Sequence, residues 1–381
     1  MNLSKRLDAF PEYIHSRMAK AVAEVEKESG RKVLGFGAGS PDFRTSDKYL
    51  EKFAEFIQDS NSHMYPGYKG TAEFDGAIAG WYKKRFGVEL TDGEILPLLG
   101  SKDGVAHLPL VLADEDDEVL VPDPGYPAFA GPAVMLGIKP VPYDLTPEND
   151  FKPSIAELEK KLTKRTKYLW VNYPSNPTGQ VATLDELKPI VEFALKHGLP
   201  IVYDHAYAEI TFDDFVAPSI LQIPGAKSIA VELGSFSKVF SFAGFRIGWI
   251  VGNSEIIQAL AKVKSQVDSG LMLPLQRLGA YALENTDMEW HEKMLASYEN
   301  RRDIIAQKLK GLGLTFEIPR GALYIWAKIP DSAKDSESYC MQLLKEKQVL
   351  FTPGSAFGKN GERFVRVSIC VNIDNIDSYF E

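Results

Sequence analysis

From about residue 94 to residue 252, short apolar runs alternate with segments whose apolar positions recur at helical spacing. The runs are Glu94–Leu99, Glu118–Val121, Lys167–Asn172, Pro200–Tyr203, Ser228–Leu233 and Arg246–Val251. They are continuous rather than alternating, as strands covered on both faces are, and predict an α/β fold with a mostly parallel sheet flanked by helices. Two helices between the runs begin with capping-box sequences, Ser154-Ile-Ala-Glu157 and Thr183-Leu-Asp-Glu186. The second stops at His197-Gly198, and Pro189 within it predicts a kink. Beyond residue 285 the pattern changes. Asp287–Leu312 reads as one long charged helix, followed by short strands around Leu323–Ala327, Val349–Thr352 and Phe364–Ile369. The expected organisation is a large domain, residues 43–284, and a smaller α+β domain built from residues 1–42 and 285–381, with a helix at about 10–29.

Composition narrows the classes. A chain of 381 residues, 45% hydrophobic and 25% charged, has an ordinary globular composition and buries a large core unaided. A net charge of −9 lacks the basic footprint of a nucleic-acid binder. The two cysteines, Cys340 and Cys370, exclude a disulfide framework and a Cys-rich zinc site. No apolar run approaches the ~18 residues that span a bilayer. The charged, periodic N-terminus is unlike a signal peptide, so the expectation is a cytoplasmic protein with no membrane partner. His15, His63, His107, His197, His205 and His291 show no metal-ligand spacing. Asp114–Glu118 reads as a solvated acidic loop and Arg301-Arg302 as a solvated helix face.

Ligands of open α/β sheets bind beyond the carboxyl ends of the strands, so the residues following each run carry the candidate chemistry. Gly100-Ser-Lys-Asp-Gly104 opens a helix whose free N–H groups favour a phosphate. Pro122-Asp-Pro-Gly-Tyr126-Pro is a rigid turn displaying an aromatic ring, and Tyr173-Pro-Ser-Asn176-Pro-Thr-Gly179 fixes an amide between two prolines. Asp204-His-Ala-Tyr207 ends an apolar strand with a carboxylate that is costly to bury unless it meets a cation. Gly234-Ser235-Phe-Ser237-Lys238, with Arg246 eight residues on, collects hydroxyls, a lysine and an arginine. Each alone is an ordinary turn or cap. Together they provide phosphate donors, a stacking ring, an amide, a carboxylate for a pyridinium nitrogen and a lysine able to attack a carbonyl, the parts of a pyridoxal phosphate site. Gly35-Phe-Gly-Ala-Gly39 mimics a dinucleotide fingerprint, but Ser40-Pro41 follows and no glycine-rich turn opens a helix there.

In this order, with Gly37-Ala-Gly39-Ser-Pro-Asp42 and Tyr65-Pro-Gly-Tyr68 before them and Arg366 after, these motifs resemble the class I/II aminotransferases over nearly the whole chain. That resemblance implies fold type I and a pyridoxal 5'-phosphate-dependent aminotransferase working by a ping-pong reaction between an L-amino acid and a 2-oxo acid. A β-C–S lyase on the same scaffold is the alternative. The resemblance implies three catalytic residues: Lys238 as attachment point and proton shuttle, Asp204 at the pyridine nitrogen, and Tyr207 at the ring's phenolic oxygen, where Asn176 would also bind the cofactor. It places Tyr126 on the ring face, and Ser101, Lys102, Ser235, Ser237 and Arg246 around the phosphate. Tyr65 would reach the phosphate of a neighbouring subunit, implying a homodimer with shared sites. Arg366 and Gly39 would hold the substrate α-carboxylate, with Lys102, Tyr126, Asn176 and Tyr13 nearby. His205 stands where the family often has an acidic residue and is expected to lie behind the residues that touch the cofactor. The helix start at Gly100 and the turn at Asp123 look like the branch containing LL-diaminopimelate and some aspartate or alanine enzymes. Asp268-Ser-Gly-Leu-Met-Leu273 departs from it, pointing to a less polar side-chain pocket.

Overall fold

The computed structural model describes residues 3–9 and 14–380. Tyr13 lies outside the described residues. The strands, in chain order, are β1 (Leu34–Gly35), β2 (Ile95–Leu98), β3 (Glu118–Asp123), β4 (Lys139–Asp144), β5 (Thr166–Asn172), β6 (Ile201–Asp204), β7 (Ala230–Ser235), β8 (Gly248–Gly252), β9 (Tyr324–Lys328), β10 (Val349–Leu350), β11 (Thr352–Pro353) and β12 (Phe364–Ser368). A seven-stranded sheet has the order β2-β8-β7-β6-β5-β3-β4. The strands from β7 to β4 run parallel, and β8 is antiparallel to both β7 and β2.

The continuous apolar runs become fully buried strands because helices cover both faces. Leu169, Val171 and Tyr203 face a core shared with Phe74, Ile190 and Leu278. Tyr168, Trp170, Val202 and Leu233 face the opposite core with Val105, Phe129 and Leu260. The hydrophobic pattern did not mark β4, whose Pro140 and Pro142 lack N–H donors; the strand forms because it lies at the sheet edge and pairs only with β3. The helices α1 (Ile14–Ser29), α2 (Asp47–Ile57), α3 (Ala72–Phe86) and α4 (Ser101–His107) precede β3.

Around the long helix Met288–Gly311 lies a separate core, closed by the antiparallel sheet β11-β12-β9 and the parallel pair β1-β10. The expected strand at Val349–Thr352 is therefore two, one in each sheet, with Phe351 between them. Thr183 and Glu186 form their reciprocal capping box, whereas Ser154 makes no side-chain cap. Pro189 sits inside an uninterrupted helix, Leu184–His197. Glu118 is buried and bonded to Thr163 and Arg165, and Arg302 is buried against Asp213, so neither belongs to a solvated run.

Leu169→Ala leaves a cavity in a central strand sealed on both faces. The variant is expected to lose about 2–5 kcal/mol, read as a lower denaturant midpoint of the sheet unit.

Candidate functional site

The carboxyl ends of β3, β5, β6 and β7 open onto a cavity of about 650 Å³, closed from the other side by β9, β12 and the 35–40 segment. Every proposed site residue lines this cavity except Tyr65 and the undescribed Tyr13: Gly39, Ser101, Lys102, Tyr126, Asn176, Asp204, Tyr207, Ser235, Ser237, Lys238, Arg246 and Arg366.

At the floor, β6 ends in Asp204. Its carboxylate accepts one bond, from the Ala206 N–H at 3.2 Å, and among the described residues it forms no ion pair. Burial pushes its carboxyl up to about 6, opposed by that N–H and by the positive charges of His205 and Lys238. Asn172, at the end of β5, donates to the Asp204 carbonyl at 2.8 Å and accepts the Asn176 N–H at 2.9 Å. It thereby locks two strand ends and the amide loop together. Sequence reasoning passed over Asn172 because it looked like the last residue of a strand.

Lys238 follows β7 in the short helix Phe236–Val239, and its Nζ donates to the Gly39 carbonyl at 2.8 Å. Burial pulls its amine down to about 8, and the positive charges of Arg366 and Arg246 act in the same direction. One wall of the cavity is an anion cradle: the start of α4 at Ser101, the hydroxyls of Ser235 and Ser237, and the Arg246 guanidinium. Arg246 Nη1 donates to the Ala243 carbonyl at 2.9 Å, which fixes the guanidinium in place. Gly100 has φ 78, and a methyl group there would overlap the Arg246 guanidinium, so only glycine allows the two to meet.

The opposite wall carries Arg366, buried on β12. Nη1 donates to Asn176 Oδ1 and Nη2 to the Gly37 carbonyl, both at 2.8 Å, while Nε has no partner. The guanidinium lies between the rings of Tyr324 and Phe357, 4.3 and 4.6 Å from their centroids. Among the described residues it meets no carboxylate, which leaves a net positive charge facing the cavity. Tyr207 and Tyr324 share a hydroxyl hydrogen bond of 2.8 Å. A methyl on Gly39 would overlap the Tyr324 hydroxyl, so a side chain there would break that pair. Tyr324 had no sequence signal: it lies 117 residues from Tyr207 in no motif, and only the packing of β9 brings it in.

Tyr126 stands edge-on to Phe129, 5.6 Å between centroids. Tyr65 is 87% exposed, away from the cavity of its own chain. Its loop packs where Gly270 meets the Gly67 carbonyl, bringing together two distant segments that the sequence singled out. Among the described residues no group of three or more His, Cys, Asp or Glu is placed to hold a metal ion, and no helix is long and apolar enough to cross a membrane.

The family model for aminotransferase class I and II matches residues 31–381. The LL-diaminopimelate aminotransferase of Halothermothrix orenii is 36% identical over 382 aligned residues, covering 100% of this chain and 97% of that protein. The enzyme of the same name from Dehalococcoides mccartyi is 38% identical over 378, covering 99% and 97%. Among solved structures, BacF from Bacillus subtilis superimposes with a TM-score of 0.93 at 31% identity, covering 100% of this chain and 97% of that one.

The depressed Lys238 amine has a measurable signature. Between about 8 and the ordinary 10.5, the unfolded chain holds a proton that the folded chain has released, so stability rises with pH across that interval. In the cofactor-free protein, the difference in urea midpoint between wild type and Lys238→Met is expected to shift in favour of wild type from pH 8 to 10. A difference independent of pH would contradict the assigned environment.

Proposed function

The chain belongs to the class I and II aminotransferases, which use pyridoxal phosphate, and on that premise we propose a role for each group around the cavity. The observation that carries the reading is that one cavity holds a buried carboxylate without an ion-pair partner among the described residues, Asp204, and a buried amine brought down to about 8, Lys238, between an anion cradle and an arginine that meets no carboxylate. These groups fit pyridoxal phosphate: a cation acceptor for the ring nitrogen, an amine for the aldehyde, and donors for the phosphate.

When bound, the cofactor supplies an electron sink for charge developing at the substrate Cα and carries the amino group between half-reactions. Asp204, held by Ala206 and Asn172, keeps the pyridine nitrogen protonated. Lys238, once the substrate amine has displaced it, would carry the proton from the substrate Cα to the cofactor's C4′ and the reverse in the second half-reaction, a role suited to an amine that is partly neutral near pH 8. Asn176 gives its oxygen to Arg366 and so turns its amide N–H₂ toward the ring's phenolic oxygen, beside Tyr207. Ser101, Ser235, Ser237 and Arg246 hold the phosphate, with Lys102 beside them, and Tyr126 covers the ring. Arg366 and the Gly39 N–H clamp the α-carboxylate, the guanidinium acting as a two-pronged donor.

The substrate class follows from the relatives. LL-diaminopimelate is the first donor to test, given two relatives of that name at 36% and 38% identity over full length. The enzyme would be a homodimer of the cytoplasm. Tyr65 supports the dimer: an exposed tyrosine on a loop outside its own cavity fits a residue that completes a partner's site. The large unit, residues 43–284, and the small one, residues 1–42 and 285–381, would each supply one wall.

Incubation with an L-amino acid and 2-oxoglutarate or pyruvate is expected to yield one new amino acid per amino group lost. Free ammonia in place of the second amino acid would instead favour the lyase chemistry. Arg366→Lys should lower kcat/KM by about 10- to 100-fold, the worth of one charge-assisted hydrogen bond, mainly through KM.

Shared sites have their own test. Mixing Tyr65→Ala chains with Lys238→Ala chains should give heterodimers with one intact site, more active than either parent. No recovery in a mixture shown to contain heterodimers would assign Tyr65 to its own subunit.

A further inference from the structure

Behind Asp204, on the side of the strand away from the cavity, lies a second buried cluster that the proposed chemistry does not use. Glu232, on β7, is completely buried. Its carboxylate is met by four groups: the Tyr82 hydroxyl at 2.7 Å and His205 Nδ1 at 3.0 Å on one oxygen, and the Ser219 hydroxyl at 2.7 Å and the Ile220 N–H at 3.1 Å on the other. Trp249 Nε1 in turn donates to the Tyr82 hydroxyl at 3.2 Å. Such a set of donors suits an ionised carboxylate, and an ionised carboxylate removed from water requires a counter-charge.

Among the described residues, His205 is the only basic side chain within ion-pair distance of Glu232. Glu209, which lines the same small cavity, is paired with Arg85 at 3.0 Å. His205 Nε2 is buried and unpartnered, and the imidazole lines a small cavity of about 20 Å³ beside Tyr82, Glu209 and Trp249. That is room for one water, which an Nε2–H would orient. Ala206 and Ser235 line both this small cavity and the large one, so the two lie back to back across the strand end.

We propose that His205, held as an imidazolium by the Glu232 carboxylate, is a positioning residue for amino transfer: its charge keeps the neighbouring Asp204 ionised, and thereby keeps the cofactor's ring nitrogen protonated. The charges then alternate from Glu232 through His205 and Asp204 to the pyridinium, and each compensates the burial of the next. The acid–base direction agrees, since the His205 charge opposes the effect of burial on the Asp204 carboxyl. Tyr82 and Tyr203 also face the pair, and burial beside Glu232 holds both phenols well above their usual range, so they remain neutral donors. The proposal rests on the assignment of Asp204 to the ring nitrogen.

The test uses the holoenzyme carrying ¹⁵N-labelled pyridoxal phosphate and ¹⁵N-histidine, in wild type, His205→Gln and Asp204→Asn. Glutamine keeps a donor toward Glu232 but removes the charge. In wild type the two His205 ring nitrogens should both report as protonated. In His205→Gln the pH at which the cofactor nitrogen loses its proton should fall by about one unit, a tenfold change in that equilibrium. A neutral His205 in wild type would overturn the proposal, and this measurement needs no variant to fold. A ring nitrogen unchanged in His205→Gln but altered in Asp204→Asn would also overturn it while leaving the Asp204 assignment intact. A ring nitrogen unchanged in Asp204→Asn would remove that assignment, and the proposal with it.

Discussion

Asp204 and Lys238 stand in one cavity, both withdrawn from water, and among the described residues neither forms an ion pair. Leaving a charge unpaired in such a place costs several kcal/mol, and the surrounding fold has to bear that cost. The parallel strands β5, β6 and β7 do so by burying apolar residues on both faces along their length and delivering polar residues only at their carboxyl ends. The same cost makes the site receptive. On the proposed roles, a protonated ring nitrogen would relieve the carboxylate and an aldehyde would engage the amine, so ligand binding would satisfy groups that folding left unsatisfied.

The second wall of the cavity depends on polar contacts between the two cores. Arg366 reaches Asn176 and Gly37, Lys238 reaches the Gly39 carbonyl, and Asp123 at the end of β3 accepts the backbone N–H groups of Lys359 and Asn360. The bonds of Arg366 and Lys238 border the cavity, and those of Asp123 join the cores outside it. On the proposed roles, the side chains that would recognise the substrate also join the two cores.

Much of the large sheet was legible because fully buried strands must be apolar throughout, and because ligand groups concentrate where those runs stop. Asp204 and Lys238 could be found by reading just past the runs, and Arg246 at the start of the next one. β4 was not legible, since its two prolines mark a turn unless the edge position is known. Ser154 shows the opposite failure, a capping sequence whose side chain makes no cap. Tyr324 and Asn172 were invisible for another reason: their importance lies in partners supplied by distant segments, and nothing local distinguishes them. Arg302 and Glu118 looked solvated within charged runs, yet each is buried with its own counter-charge, an arrangement that composition cannot reveal.

The pairing of β1 with β10 joins the first part of the chain to the last, and Arg366 donates to a carbonyl 329 residues before it. On the ribosome, the 34–39 segment emerges early and has no partner strand until most of the protein has been made. All seven strands of the large sheet have left the exit tunnel once residue 252 has, but Arg366 has not. On the proposed roles, the residues that would hold the phosphate and Lys238 are thus synthesised well before the arginine that would bind the α-carboxylate. On those roles the site would be complete only with the final strand, and a polypeptide ending before it would carry the whole large sheet yet lack the arginine proposed to hold the substrate.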